Sequence, residues 1–311
     1  MTTLRIATRN SPLALWQARF VAEQLQQADP ACECELVPMT TTGDRWLEGR
    51  LSSQGGKGLF VKELEAALLE SRADLAVHSL KDVPMQLPPG LVLGAFLSRH
   101  NPADALIGAS GLEELPQGAV VGTASQRRSM LLLQQRPDLQ LKLLRGNVNT
   151  RLAKLDAGEY QAIILAASGM ERLGFSDRIG SCMPTEQMIP APGQGILAIE
   201  TRAEDQALLQ RLQSLNDAQA ESAARAERAL SRALGGSCAL PLAGYCTVHA
   251  DHLQLHAALG MPDGSEVVSA SQQASVQDRP EALGESVAEQ LRADGGASIL
   301  ERLAQPTSDP V

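Results

Sequence analysis

Apolar positions in the first two thirds of the chain switch repeatedly between the spacing of a strand and that of a helix. Residues 4–8 are a short apolar run that predicts a strand. Ser11 and Pro12 then read as N-cap and first helical residue, ahead of a helical stripe of Leu13, Trp16, Phe20, Val21 and Leu25 that predicts core packing. Strands at 33–40, 74–78 and 91–97 and a helix at 59–70 follow. The alternation restarts with strands at 119–122, 141–144 and 161–166 and helices at 125–135 and 148–157. The Pro/Gly-rich segment 190–195 predicts a hinge before a strand at 196–200. From about residue 217 the pattern changes to one long helix, 219–234, then strand-like stretches at 242–249, 252–259 and 265–271 and helices at 281–293 and 296–303.

This pattern predicts an α/β protein of three domains. Residues 1–97 with 196–216 form a discontinuous first lobe, 98–195 a second α/β lobe, and 217–311 a small α+β domain. Two lobes joined by Pro/Gly segments predict a ligand cleft between them. Gly43, Gly49, Gly55, Gly56 and Gly58 punctuate a polar stretch without periodicity, as in a lid. Gly55-Gly56-Lys57-Gly58 is not a nucleotide P-loop, because Gly58 stands where Ser or Thr must follow the lysine.

Aromatic residues make up only 3% of the chain, so the core must rest on Leu, Val, Ile and Ala. No apolar run approaches the roughly 18 residues of a membrane span, and the first residues carry no signal-peptide core. Five scattered cysteines (32, 34, 182, 238, 246) argue for reduced thiols and a cytoplasmic setting. Cys32 and Cys34 form a C-x-C without a partner pair, so no metal site is expected. The net charge of −9 argues against nucleic-acid binding, and an anionic ligand would need local cations to overcome that field.

Such cations occur at the predicted strand ends. Arg9, Lys81, Arg127, Arg128, Arg145, Arg151 and Arg172 follow strands, accompanied by Ser11, Ser79, Thr123, Ser125 and Ser168. Ligands of open α/β sheets sit beyond the strands' carboxyl ends, where helix N-termini and bidentate arginines suit carboxylates. Asp82 lies among them. It is either a turn carboxylate before Pro84 or a group that stabilises developing positive charge and moves protons. His78 has no triad partners and reads as structural. Cys238 follows a helix end and Gly235-Gly236-Ser237. It is either a small buried hydrophobe or a reachable thiol on an open loop.

Several of these segments resemble one family. Leu4-Arg5-Ile6-Ala7-Thr8-Arg9-Asn10-Ser11-Pro12-Leu13-Ala14, Gly55-Gly56-Lys57-Gly58-Leu59-Phe60 and His78-Ser79-Leu80-Lys81-Asp82-Val83-Pro84 are similar to motifs of the porphobilinogen deaminases (hydroxymethylbilane synthases). So are Gly122-Thr123-Ala124-Ser125-Gln126-Arg127-Arg128, Leu144-Arg145-Gly146-Asn147-Val148, Ala191-Pro192-Gly193-Gln194-Gly195 and Gly235-Gly236-Ser237-Cys238. The resemblance implies an enzyme that polymerises four porphobilinogen units into hydroxymethylbilane, releasing ammonia, in tetrapyrrole (haem) biosynthesis. It implies a dipyrromethane cofactor, one per chain, on Cys238 through a thioether, and Asp82 as the catalytic carboxylate. Cofactor contacts fall on Lys81, Asp82, Thr123, Ser125, Arg127, Arg128, Arg145 and Gly146. Substrate contacts fall on Arg9, Ser11, Lys57, Ser79, Arg145, Arg151 and Arg172. The implied fold has two lobes like type II periplasmic binding proteins. The implied protein is a monomer that passes its product to the next enzyme, with no nucleic-acid, membrane or metal partner. Cofactor and product together would present about a dozen carboxylates, which the arginines suit. Ser53 stands where some members have Lys, and Ser237 separates the glycines from Cys238.

A non-catalytic, two-lobed receptor for an anionic metabolite would account for the lobes and arginines, but not for Cys238 or Asp82. Intact-protein mass spectrometry separates the two readings. The enzyme carries an adduct the size of two substrate-derived pyrroles, absent in Cys238→Ser; an unmodified mass in active protein would sink it.

Overall fold

The computed structural model describes residues 2–45, 58–236 and 240–305. The first lobe opens with β1 (Thr2–Arg9), α1 (Pro12–Ala28), β2 (Cys32–Met39), a short α2 (Thr42–Arg45), α3 (Lys62–Leu69), β3 (Leu75–Ser79) and β4 (Leu91–Phe96). The chain then crosses to a second lobe. There it forms β5 (Asp104–Ile107), β6 (Val120–Gly122), α4 (Gln126–Gln135), β7 (Gln140–Lys142), α5 (Val148–Asp156), β8 (Ala162–Ala166), α6 (Ala167–Arg172) and β9 (Ser181–Cys182). It crosses back as β10 (Leu197–Arg202) and α7 (Gln206–Leu212).

The two sheets follow one plan. The first has the order β2-β1-β3-β10-β4 and the second β7-β6-β8-β5-β9. β1 runs parallel to β2 and β3, and β6 parallel to β7 and β8. β10 is antiparallel to β3, and β5 to β8. Each antiparallel strand therefore begins at the edge where its parallel neighbours end. Two rows of strand carboxyl ends, plus the first residues of β5 and β10, meet on the side of each lobe that carries helix N-termini.

Local chemistry explains the elements. Ser11 caps α1, its hydroxyl accepting from the Ala14 N–H at 3.3 Å, with Pro12 next in the first turn. The buried face of α1 is Ala14, Gln17, Ala18, Val21, Ala22 and Leu25. The expected stripe is corrected in part: Phe20 packs against the first lobe's core, but Leu13 and Trp16 are only half-buried and meet Gly169 and Arg172 of the other lobe. α3 starts later than residue 59, because Gly58, with φ +74°, opens a turn closed by the Val61 N–H on the Gly58 carbonyl at 3.1 Å. The expected strand 141–144 ends at Lys142; Leu144 is buried in the second lobe, while Leu143 is exposed. His78 is structural as read: its Nε2 lies 2.8 Å from Glu200 Oε2 in the interior. Glu65 of α3 sits nearby, its carboxyl pushed up to about 7 by burial and by Glu200.

The third domain opens with α8 (Ala218–Ala233), capped by Asp217. β11 (Leu242–Val248), β12 (His252–Gly260) and β13 (Val267–Ser275) follow as an antiparallel meander, then α9 (Pro280–Leu291) and α10 (Ala297–Ala304). Its core joins Ala226 and Leu230 of α8 to Leu253 and Leu255 of β12 and Val287 of α9. α8 and α9 approach so closely that a Cβ on Gly284 would lie 2.2 Å from the Ala226 carbonyl oxygen. Backbone cannot yield there as a flexible side-chain tip would. Gly284→Ala is expected to cost about 1–3 kcal/mol in chemical denaturation. An unchanged midpoint would show that the two helices do not meet as described.

Candidate active site

The crossovers between lobes bring the site together. The His100 N–H donates to the Gly195 carbonyl at 3.1 Å, so the two connecting segments touch. Gly193 and Gly195 have φ of +80° and +89°, and a Cβ on Gly195 would lie 2.5 Å from the His100 carbonyl oxygen. Only glycine fits that approach. Buried Glu227, on α8, accepts from Arg99 Nη2 at 2.7 Å, the Gly193 N–H at 2.6 Å and the Cys246 N–H at 2.8 Å. One carboxylate thus joins both crossovers to the third domain.

A small cleft opens between the lobes. Gln17, Ser79 and Lys81 line it from the first lobe, Ser168 and Arg172 from the second, and Gly195 from the crossover. Ser79 Oγ accepts from Gln17 Nε2 at 2.8 Å. Arg172 donates to the Gly195 carbonyl at 3.0 Å and lies 5.8 Å from the Trp16 ring centroid. Burial brings its guanidinium down to about 10.

Beyond the cleft, Leu80–Asp82 form a tight turn directly after β3. It leaves Asp82 exposed and Lys81 half-buried, with Nζ 3.1 Å from Gln194 Oε1. Burial, with repulsion from Arg128, lowers Lys81 to about 8 against the pull of Asp82 and Asp104. Arg151 falls to about 10 through burial and repulsion from Arg128 and Arg145, again opposed by Asp82. Lys81 and Arg151 therefore both lie within electrostatic reach of Asp82 and Arg128, and Arg151 within that of Arg145. Arg151 Nε donates to the Gly146 carbonyl at 2.7 Å, and Gly146 turns with φ +109°.

Arg127 and Arg128 are both buried and both engage Asp104, a residue at the start of β5 that the sequence reading passed over. Arg127 Nη1 lies 2.7 Å from Asp104 Oδ2, and Arg128 Nε and Nη2 lie 3.0 and 2.8 Å from Oδ1. Gln194 Nε2 donates to the same oxygen at 3.0 Å. Thr123 and Ser125 shape the loop beneath: Thr123 Oγ1 accepts from the Ser125 N–H, and Ser125 Oγ caps α4. Ser11 caps α1 at the first lobe's edge. Arg9 stands over the Phe60 ring, 4.3 Å from its centroid. Lys57, Ser53, Ser237 and Cys238 lie outside the described residues, as does most of the glycine-rich stretch read as a lid. Asp104 and Glu227 carry no local signal, since Asp104 meets Arg128 across 24 residues and Glu227 meets Arg99 across 128.

Residues 4–210 match the family model for the porphobilinogen deaminase dipyromethane cofactor-binding domain, and residues 222–293 match that for the porphobilinogen deaminase C-terminal domain. The chain belongs to the porphobilinogen deaminase family. It is a transferase that polymerises four porphobilinogen molecules into hydroxymethylbilane, with release of ammonia, on a covalently bound dipyrromethane primer. Among solved structures it is similar to the methionine-binding protein MetQ, at 14% identity over 70% of this chain and 92% of that one, with a TM-score of 0.45. It is also similar to a periplasmic substrate-binding protein of an ABC transporter from Coxiella burnetii, at 13% identity over 70% and 94%, with a TM-score of 0.43.

The residues present fit the family's cofactor. Each pyrrole of a dipyrromethane carries two carboxylates, and the half-buried Arg145 has an Nε with no hydrogen-bond partner among the described residues. Arg127 Nε is in the same state. A carboxylate satisfies such donors, and desolvation makes the bond strong. Among the described residues no cluster of His, Cys, Asp and Glu could hold a metal ion, and no helix is long and apolar enough to cross a membrane.

Burial pushes the Asp104 carboxyl up, but the two guanidinia outweigh it and hold the group well below the usual carboxylate range. A carboxyl lowered in the folded state adds stability above its unfolded value of about 3.9 and yields it as pH falls toward the folded value. The Asp104 carboxyl carbon is therefore expected to keep its ionised NMR shift at about pH 3. Titration near 4 would contradict the buried pairing.

Proposed function

We propose that Asp82 is the catalytic carboxylate of this transferase and that Cys238 carries the primer. One observation carries the reading: Asp82 is an exposed anion at a strand end, within the electrostatic reach of Lys81 and Arg151. Its oxygens can accept from pyrrole N–H groups and stabilise the positive charge that develops as ammonia leaves porphobilinogen. Protonated, the same carboxyl can return a proton to the departing amine. The primer, when bound, supplies a free pyrrole α-carbon on which the chain grows.

The protein's own side chains do the rest. Arg127, Arg128, Arg145 and Lys81 hold primer carboxylates, with Thr123, Ser125 and Gly146 shaping the loops that present them. Arg9, Arg151 and Arg172, with Ser11, Ser79 and Lys57, hold those of porphobilinogen. The path to the tether supports this assignment. Arg228 of α8 donates to the Val83 and Pro84 carbonyls at 3.2 and 2.7 Å, and a Cβ on Gly236 would lie 3.3 Å from Met85 Cβ. The last third of α8 and Gly236, two residues ahead of Cys238 in the sequence, thus meet the segment that directly follows Asp82. In this reading the protein acts as a cytoplasmic monomer and releases its tetrapyrrole to the next enzyme of the pathway.

Asp82→Ala is expected to keep the two-pyrrole adduct by mass, because attachment and carboxylate binding do not require it. Steady-state kcat should fall by about 10²–10⁴, the usual worth of a positioned acid–base group. Normal turnover in a fully loaded variant would remove Asp82 from the mechanism.

A further inference from the structure

We propose that Asp104 is the positioning residue of this active site: it orients Arg127 and Arg128 from inside the second lobe and, through Gln194, orients Lys81 of the first. The inference rests on the reading that these cations hold the anionic pyrrole chain.

Asp104 reaches the site only because β5 runs antiparallel to β8, which brings its first residue to the carboxyl ends of β6 and β8. The carboxylate is 0% exposed. It fixes the Arg128 plane from one side through Nε and Nη2, while the Ile164 carbonyl holds Nη1 at 2.8 Å from the other. Arg127 is likewise held between Asp104 and the Ile189 carbonyl, 2.8 Å from Nη1. Each guanidinium is thus set by two separate elements before any ligand carboxylate is met. A fork held in this way loses less entropy on binding than a free side chain.

The Gln194 amide carries the orientation across to the first lobe. An ionised carboxylate can only accept, so Gln194 must turn its NH₂ toward Asp104. The same nitrogen donates to the Pro102 carbonyl at 2.7 Å. That choice leaves Oε1 facing Lys81 Nζ. Asp104 and the Pro102 carbonyl together therefore decide which end of the amide the ammonium meets. Asp104 also acts on Lys81 directly. Arg127 and Arg128 repel the ammonium, and Asp82 and Asp104 attract it. Neutralising Asp104 leaves Asp82 alone to oppose the two guanidinia, and the ammonium should lose its proton at lower pH.

A purely structural ion pair would change stability and leave the pH profile where it is. The test is therefore the pH dependence of the loaded holoenzyme over about pH 6–9, together with separate kcat and KM values. Asp104→Asn should move the alkaline limb of kcat/KM down by about one pH unit and raise KM about tenfold, with a smaller fall in kcat. Gln194→Met leaves both Asp104–arginine pairs in place and should move the limb in the same direction by less. Wild-type limbs in both folded variants would overturn the proposal. If Asp104→Asn does not fold, an unmoved limb in Gln194→Met alone overturns it. Lys81→Met tests the underlying reading separately: it should impair primer loading by mass, and unimpaired loading and turnover would sink the cation assignment itself.

Discussion

Three parts of the chain are held in register by one buried carboxylate, Glu227. It is fully enclosed, and burial raises its carboxyl, opposed by Arg99 and by the backbone donors Cys246 and Gly193. A charge taken out of water at this cost persists only where its partners are fixed, so the position of α8 is tied to both crossovers at once. The helix that leads toward Cys238 therefore cannot drift independently of the segments joining the lobes. Arg99 reinforces the junction by standing 5.1 Å from the ring centroid of Tyr245 in β11.

The same economy of charge governs the site. The protein as a whole is acidic, yet its inter-lobe surfaces concentrate cations that burial and mutual repulsion hold below their ordinary proton affinities. Such groups gain most from an anion that enters with them into low dielectric. One internal carboxylate, Asp104, between two guanidinia keeps that repulsion from driving the arginines apart without cancelling it. The remaining positive field suits a ligand that adds carboxylates with every condensation.

Much of this was legible in the chain. The αβ alternation placed nearly every long element within a few residues. The strand-end residues Ser79, Lys81, Asp82, Arg128, Arg145, Arg151 and Arg172 do gather around or beside the cleft. Of the apolar stripe on α1, Phe20, Val21 and Leu25 join the first lobe's core, while Leu13 and Trp16 meet the other lobe; apolar periodicity marks a covered face without saying what covers it. β5 is only four residues long and lies in a stretch without strong alternation, so it was missed, and Asp104 with it.

Residue types and their order along the chain determined the lobes, the strand ends and the groups available there: cations, a carboxylate and a thiol. Those properties are local, since helix caps, strand periods and motif spacing act over a few residues. Only the tertiary structure decided how the charges are shared. Asp104 meets Arg128 because an antiparallel strand returns to the same sheet edge, Gln194 meets Lys81 across 113 residues, and Glu227 meets Arg99 across 128. Long-range pairing of buried charges depends on which strand lies beside which, and a one-dimensional pattern does not contain that.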